Sequence, residues 1–116
     1  MIYLASPYSS PDPLIMRTRF LLAEQVAASF LRRGVFIYSP IVHCHELASK
    51  FELPSDFAFW RGYNIDMIRR CDSLAVLAIP GWKKSTGVQA EIEFARLAGI
   101  PIQAVNDEGF AISWPE

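Results

Sequence analysis

The chain has 116 residues, 11 basic and 12 acidic, giving a formal net charge of -1, and 52% of its residues are hydrophobic. That length suits one domain spanning residues 1–116, with a real core but near the lower end for a doubly wound sheet. Balanced charge without a basic run argues against nucleic acid or an anionic membrane as partner, and no apolar stretch reaches transmembrane length.

In chain order, Ile2 to Ala5 reads as a short apolar strand, and Ser6-Pro7-Tyr8-Ser9-Ser10 as a loop of turn formers. The opening residues lack the charged start of a signal peptide. Asp12 followed by Pro13 predicts an N-cap and a first-turn proline. The helix they open runs to about Arg33, burying Phe20, Ala23, Ala27, Phe30 and Leu31, and Gly34 closes it. Val35 to Ser39 is the second strand, ended by Pro40. Strand, helix and strand in this order make a βαβ unit with a parallel pair and a right-handed crossover.

Ile41 to Leu53 carries a weaker pattern, a short helix or an irregular segment that contains His43, Cys44 and His45. A second helix starts at Pro54-Ser55-Asp56 and runs through Phe57, Phe59, Trp60 and Tyr63 to about Arg70. The run Leu74 to Ile79, bounded by Asp72 and by Pro80-Gly81, has the length and composition of a strand buried on both faces. After the loop Gly81 to Lys84, Thr86 and Gln89 have the spacing of a capping box, and Gly99 and Pro101 mark the end of that helix. Ile100 to Val105 is the last clear strand, and the tail can add an edge strand at Phe110 to Ser113 or pack its aromatics on a neighbour. The expected fold is α/β, a three-layer sandwich whose four- or five-stranded parallel sheet is flavodoxin- or Rossmann-like. No linker, internal repeat or low-complexity stretch interrupts it.

Composition adds two expectations. Two cysteines, Cys44 and Cys71, do not make a disulfide framework, which fits a cytoplasmic chain with reduced thiols. The high apolar fraction predicts a subunit interface, hence a homo-oligomer.

The most informative carboxylate is Glu91. Glu93, two positions on, points about 200° away and shares a solvated face with Gln89 and Arg96. Glu91 shares its face with Val88, Ala95 and Ala98, beside Ile92, at the border of the stripe that covers the sheet. Spacing leaves two readings open: a carboxylate flanking the core with its head in water, the commoner case, or one turned into the crevice where open α/β sheets hold ligands. Other residues gather at the same carboxyl edge: Ser6 and Tyr8 after the first strand, Ser39 and His43 after the second, and Gly81 to Ser85 after the central one. The amides of Ser85-Thr86-Gly87 form a helix start that can hold an anion or a sugar hydroxyl.

Other chemistries find less support. There is no G-x-x-x-x-G-K-[ST] and no G-x-G-x-x-G. His43 and His45 lack the second ligand cluster that a metal site needs, so no metal is expected, and the serines have no nucleophile-elbow context. Trp60 and Trp82 read as packing residues, although either can wall a pocket for a planar base. A carboxylate near bound sugar carbons, inside an apolar shell, can act as a nucleophile on an anomeric carbon.

The segment Ser85-Thr86-Gly87-Val88-Gln89-Ala90-Glu91, with Ala95 four residues later, resembles the S-x-G-V-x-x-E-x-x-x-A motif of the nucleoside 2-deoxyribosyltransferase superfamily. With the YLASPYS opening, SPIVH, the FW helix, CDSL and GWKKS, the chain resembles the family of unknown function DUF1937, placed in that superfamily. The resemblance covers Ile2 to about Ile102. It implies that Glu91 is the nucleophile attacking C1′, that Ser85 and Gly87 line the sugar or phosphate site, and that Tyr3, Ser6 and Tyr8 belong to the loop under the substrate. The implied activity is cleavage or transfer at the N-glycosidic bond of a small-molecule nucleoside or nucleotide, with no cofactor. A non-catalytic nucleotide or sugar-phosphate sensor of the same fold is the alternative. The superfamily carries an aspartate usually eight residues before the strand aspartate. Counting back from Asp72 gives Asn64, while the tract Tyr63-Asn64-Ile65-Asp66 offers an aspartate at Asp66. The two positions face different ways on a helix, so only one of them can sit in the site.

Overall fold

The computed structural model describes residues 1–116. Five strands form one sheet: β1 (Ile2–Ala5), β2 (Ile37–Tyr38), β3 (Ser73–Leu77), β4 (Ile102–Val105) and β5 (Ala111–Ile112). Four helices connect them: α1 (Pro13–Arg32), α2 (Pro40–Lys50), α3 (Phe57–Arg69) and α4 (Thr86–Leu97), with a 3₁₀ turn at Trp82–Lys84 before α4. The strand order is β2-β1-β3-β4-β5. β1 lies between β2 and β3 with Tyr3 opposite Tyr38 and Leu74, and both pairings are parallel, as is that of β3 with β4. β5 is the exception to the expected parallel sheet. It runs antiparallel to β4 because the chain reverses at Asn106, whose Oδ1 accepts from the amides of Glu108 and Phe110.

Alternation along the strands divides the core. Tyr3, Ala5, Leu74 and Val76 join Ile68 of α3 and Val88, Ile92 and Ala95 of α4 in one apolar cluster. Leu4, Ala75 and Leu77 join Ala23, Val26 and Phe30 of α1 in the other. No helix is long and apolar enough to cross a membrane. Cys44 and Cys71 are buried free thiols.

The boundaries follow from local hydrogen bonding. Asp12 caps α1, accepting from the Leu14 amide at 2.9 Å. Val35, expected in the second strand, instead closes α1 by donating to the Phe30 carbonyl, so β2 shrinks to two residues. Ser39 Oγ accepts from the Val42 amide at 3.1 Å, which makes Pro40 the first residue of an 11-residue helix where the sequence pattern was weak. The central strand ends at Leu77, two residues early, because the Ile79 amide turns back to the Leu77 carbonyl. The cap of α4 is Ser85, bonded to the Val88 amide at 3.2 Å, and not Thr86; Gln89 reaches the Trp82 carbonyl.

Gly81 turns the chain out of β3 with φ 97, in the left-handed region. A Cβ there would stand 2.4 Å from Nη2 of Arg19, whose Nη1 holds the carbonyls of Tyr8 and Ser9. Gly81→Ala is therefore expected to lower unfolding free energy by about 1–2 kcal/mol, since strained φ and a displaced Arg19 both act against it. Urea denaturation measures this, and an unchanged midpoint would rule the strain out.

Candidate active site

β1 leads by α1 to β2 on one side, and β3 leads by α4 to β4 on the other. The connections therefore part between β1 and β3, and a crevice opens at the carboxyl ends of these two strands. A cleft of about 560 Å³ occupies this place. The loop after β1 supplies Ser6, Tyr8 and Ser9, and the inner face of α2 supplies Ile41, Cys44, His45 and Ala48. The start of α3 supplies Asp56, Phe57, Trp60, Arg61 and Asn64, and the segment Lys84 to Gly87 closes the rim above Glu91.

Glu91 is only 4% exposed. The hydroxyl of Tyr3, itself fully buried on β1, donates to its Oε2 at 2.5 Å. Burial is the largest influence on the carboxyl and pushes its pKa up to about 7; the Tyr3 hydroxyl, and more weakly Asn64, pull it back down. Burial and the neighbouring carboxylate push the Tyr3 hydroxyl far above the ordinary phenol range, so the shared proton stays on the tyrosine. A buried acid balanced near neutrality is a group that chemistry at pH 7 can use.

Two side chains that line the cleft each carry an oxygen without a partner. Ser6 is 7% exposed and Asn64 is 8% exposed, yet Ser6 Oγ and Asn64 Oδ1 make no hydrogen bond within the chain. Buried polar atoms are nearly always satisfied, so these two oxygens, on residues that line the cleft, stand out as lacking a partner.

The profile of a domain of unknown function, DUF1937, matches residues 1–107. The chain belongs to the DUF1937 family. No curated protein matches it. Every residue lining the cleft lies inside the DUF1937 match, whereas β5 lies beyond it.

Within this DUF1937 domain, Glu91, Asn64, Ser6, Tyr8, Ser85 and Gly87 come together at the cleft, with Tyr3 beneath them. Gly87 lets α4 approach Phe57, since a Cβ would stand 3.1 Å from that ring. The other expected residues lie elsewhere. Asp66 is exposed on the far side of α3, paired with Arg70 at 3.2 Å, because two positions on a helix turn it away from Asn64. His43 is exposed and lies over Tyr63, with ring centroids 6.2 Å apart. Ser39 is spent on capping α2, and Gly81 on the turn. Trp82 is a core residue, edge-on to Trp114, while Trp60 does wall the cleft.

His45, weighed in the sequence only as a metal ligand, lies at the cleft. Its imidazole faces the cleft, stacked on Phe20 at 4.1 Å and hydrogen-bonded through Nδ1 to the Tyr8 hydroxyl at 2.6 Å. A signal existed: once Pro40 opens a helix, Ile41, Cys44, His45 and Ala48 share one face. No three His, Cys, Asp or Glu side chains converge as metal ligands.

Proposed function

We propose that this DUF1937 domain cleaves, or transfers the sugar at, the N-glycosidic bond of a nucleoside or nucleotide, with Glu91 attacking C1′. The observation that carries the reading is the buried Glu91 carboxyl, hydrogen-bonded by Tyr3 at the floor of a cleft at the strand switch point. Attack forms an ester between Oε of Glu91 and C1′ as the base departs, and water or a second base then displaces the carboxylate with retention. Burial of the carboxylate strengthens its attraction to the positive charge that grows on the sugar. The unpartnered Ser6 and Asn64 oxygens offer acceptors to sugar hydroxyls or to the base.

A three-layer, flavodoxin-like sandwich belongs to this reading, supported by the two apolar clusters on opposite sides of the strands. So do a cytoplasmic homo-oligomer and a reaction that needs no cofactor. Exposed apolar side chains such as Phe36, Leu97 and Leu14 supply area for a subunit contact.

One observation favours a second reading. Asn64, facing Glu91, cannot protonate a leaving base, and a pocket without an acid would bind a nucleotide and not turn it over. Chromatography separates the two. The parent and a Glu91→Ala variant are incubated with nucleosides and their 5′-monophosphates, and free base is quantified. Base release by the parent alone is the expected result, with a second base distinguishing transfer from hydrolysis. No release from any substrate, with thermal stabilisation by one nucleotide, would instead favour the sensor.

A further inference from the structure

We infer that Tyr8 and His45 together form the proton-transfer unit of this site, a role that rests on the glycosidic reaction proposed for Glu91. The two side chains come from different elements, the loop after β1 and α2, yet meet at 2.6 Å between the Tyr8 hydroxyl and His45 Nδ1. Both line the cleft that holds Glu91. Neither is free to wander. Phe20 of α1 lies parallel to the imidazole at 4.1 Å, and the Tyr8 ring meets it edge-on at 5.6 Å. Arg19 fixes the loop by donating to the Tyr8 and Ser9 carbonyls. A proton donor needs this kind of fixed geometry before anything else.

Elimination points the same way. Asn64 stands against Glu91 but has no proton to give, and Asp66 faces solvent. Among the other titratable groups at the cleft, Cys44 is a thiol whose acidity burial weakens. Asp56 lies in solvent and caps α3 through the Phe59 amide. Arg61 and Lys84 are exposed cations suited to attracting an anionic substrate. The Tyr8–His45 pair is what remains to serve the leaving base.

The steps balance as follows. Glu91 Oε bonds to C1′ while the C1′–N bond breaks and its electron pair stays on the base. The base takes the Tyr8 hydroxyl proton, and the tyrosine oxygen takes the Nδ1 proton of a protonated His45. In the second half-reaction water attacks C1′, its proton passes through Tyr8 to the now neutral His45, and Glu91 leaves as a carboxylate. The net change is nucleoside plus water giving base plus sugar.

A leaving-group series tests this role. Tyr8→Phe, His45→Gln, Glu91→Ala and the parent are assayed on nucleosides of one sugar whose bases fall in basicity, ending in N7-methylguanine, which departs without a proton. On the most basic leaving group, Tyr8→Phe and His45→Gln are expected to lose about a hundredfold or more in rate. With N7-methylguanine the loss in first-turnover base release, which precedes water activation, should shrink to within about tenfold of the parent, which a folding defect would not permit. Variant rates that run parallel to the parent's across the series, unchanged or uniformly lowered, would overturn the assignment. A parent that releases no base from any member would remove the glycosidic reading itself, and this role with it.

Discussion

Replacing Glu91 with glutamine is expected to abolish base release and, at pH 8, to make the protein more stable than the parent. Both effects come from one buried carboxyl. In the unfolded chain it titrates near 4.5, and in the folded protein near 7, mainly because burial disfavours its charge. Between these values the folded state binds the proton more tightly, so its contribution to stability is full below about 4.5 and is lost as pH rises through about 7. Above that, the folded protein holds an ionised group that it would rather keep neutral, a deficit of roughly 3 kcal/mol at 1.36 kcal/mol per pH unit. Glutamine has nearly the same shape, still accepts from the Tyr3 hydroxyl, and never ionises. Urea denaturation at pH 8 should therefore give a gain on the order of 2–4 kcal/mol, fading to nothing near pH 4.5. A Gln variant less stable than the parent at pH 8 would mean that the carboxylate is welcome where it sits. The expected pattern is that of a group kept for chemistry at the expense of stability.

How much of this was legible in the residues depends on whether the signal was local. Asp12-Pro13 and Gly34 bound α1 correctly because caps act within a few residues. Glu91 and Glu93 could be told apart by helical phase: the structure buries the first and pairs the second with Arg96 at 3.7 Å. Asn64 and Asp66 could not. The aromatic residues Phe57, Phe59, Trp60 and Tyr63 spread around α3, and Phe59 and Tyr63 are in fact about half exposed, so they give no reliable phase. Once α3 packs on α4 through Ile68, Asn64 one turn earlier must face Glu91. α2 was obscured because Pro40 read as the end of a strand, when Ser39 had already begun a helix. That single misreading hid His45, whose partners Tyr8 and Phe20 lie 37 and 25 residues away in the chain. Such contacts are tertiary, and periodicity does not reach them. The antiparallel edge strand, by contrast, had a local cue in Asn106-Asp107-Glu108-Gly109, a turn whose Gly109 adopts φ 85.

Tyr3→Phe should move the pH dependence of the reaction, and by an amount that separates electrostatics from simple damage. In the proposed reaction Glu91 attacks C1′ as the carboxylate, so with a substrate whose base departs without needing a proton kcat/KM should rise with pH up to about 7 in the parent and then level off. The Tyr3 hydroxyl is the larger of the two influences that hold the carboxyl down against burial, and it makes a direct 2.5 Å bond to Oε2. Its loss leaves the weaker pull of Asn64, so burial gains and the pKa climbs further. A hydrogen bond to a charged group contributes about 1.5–3 kcal/mol, equivalent to a rise of roughly one to two pH units. At pH 7 the variant should retain on the order of a tenth of parental kcat/KM or less, and it should recover most of the difference by about pH 9. A variant that merely packs badly would lower the whole profile without moving its limb. A limb that stays where the parent's lies would show that Tyr3 orients Glu91 without tuning its charge. An alkaline shift together with recovery would fix the ionised carboxylate as the reacting form.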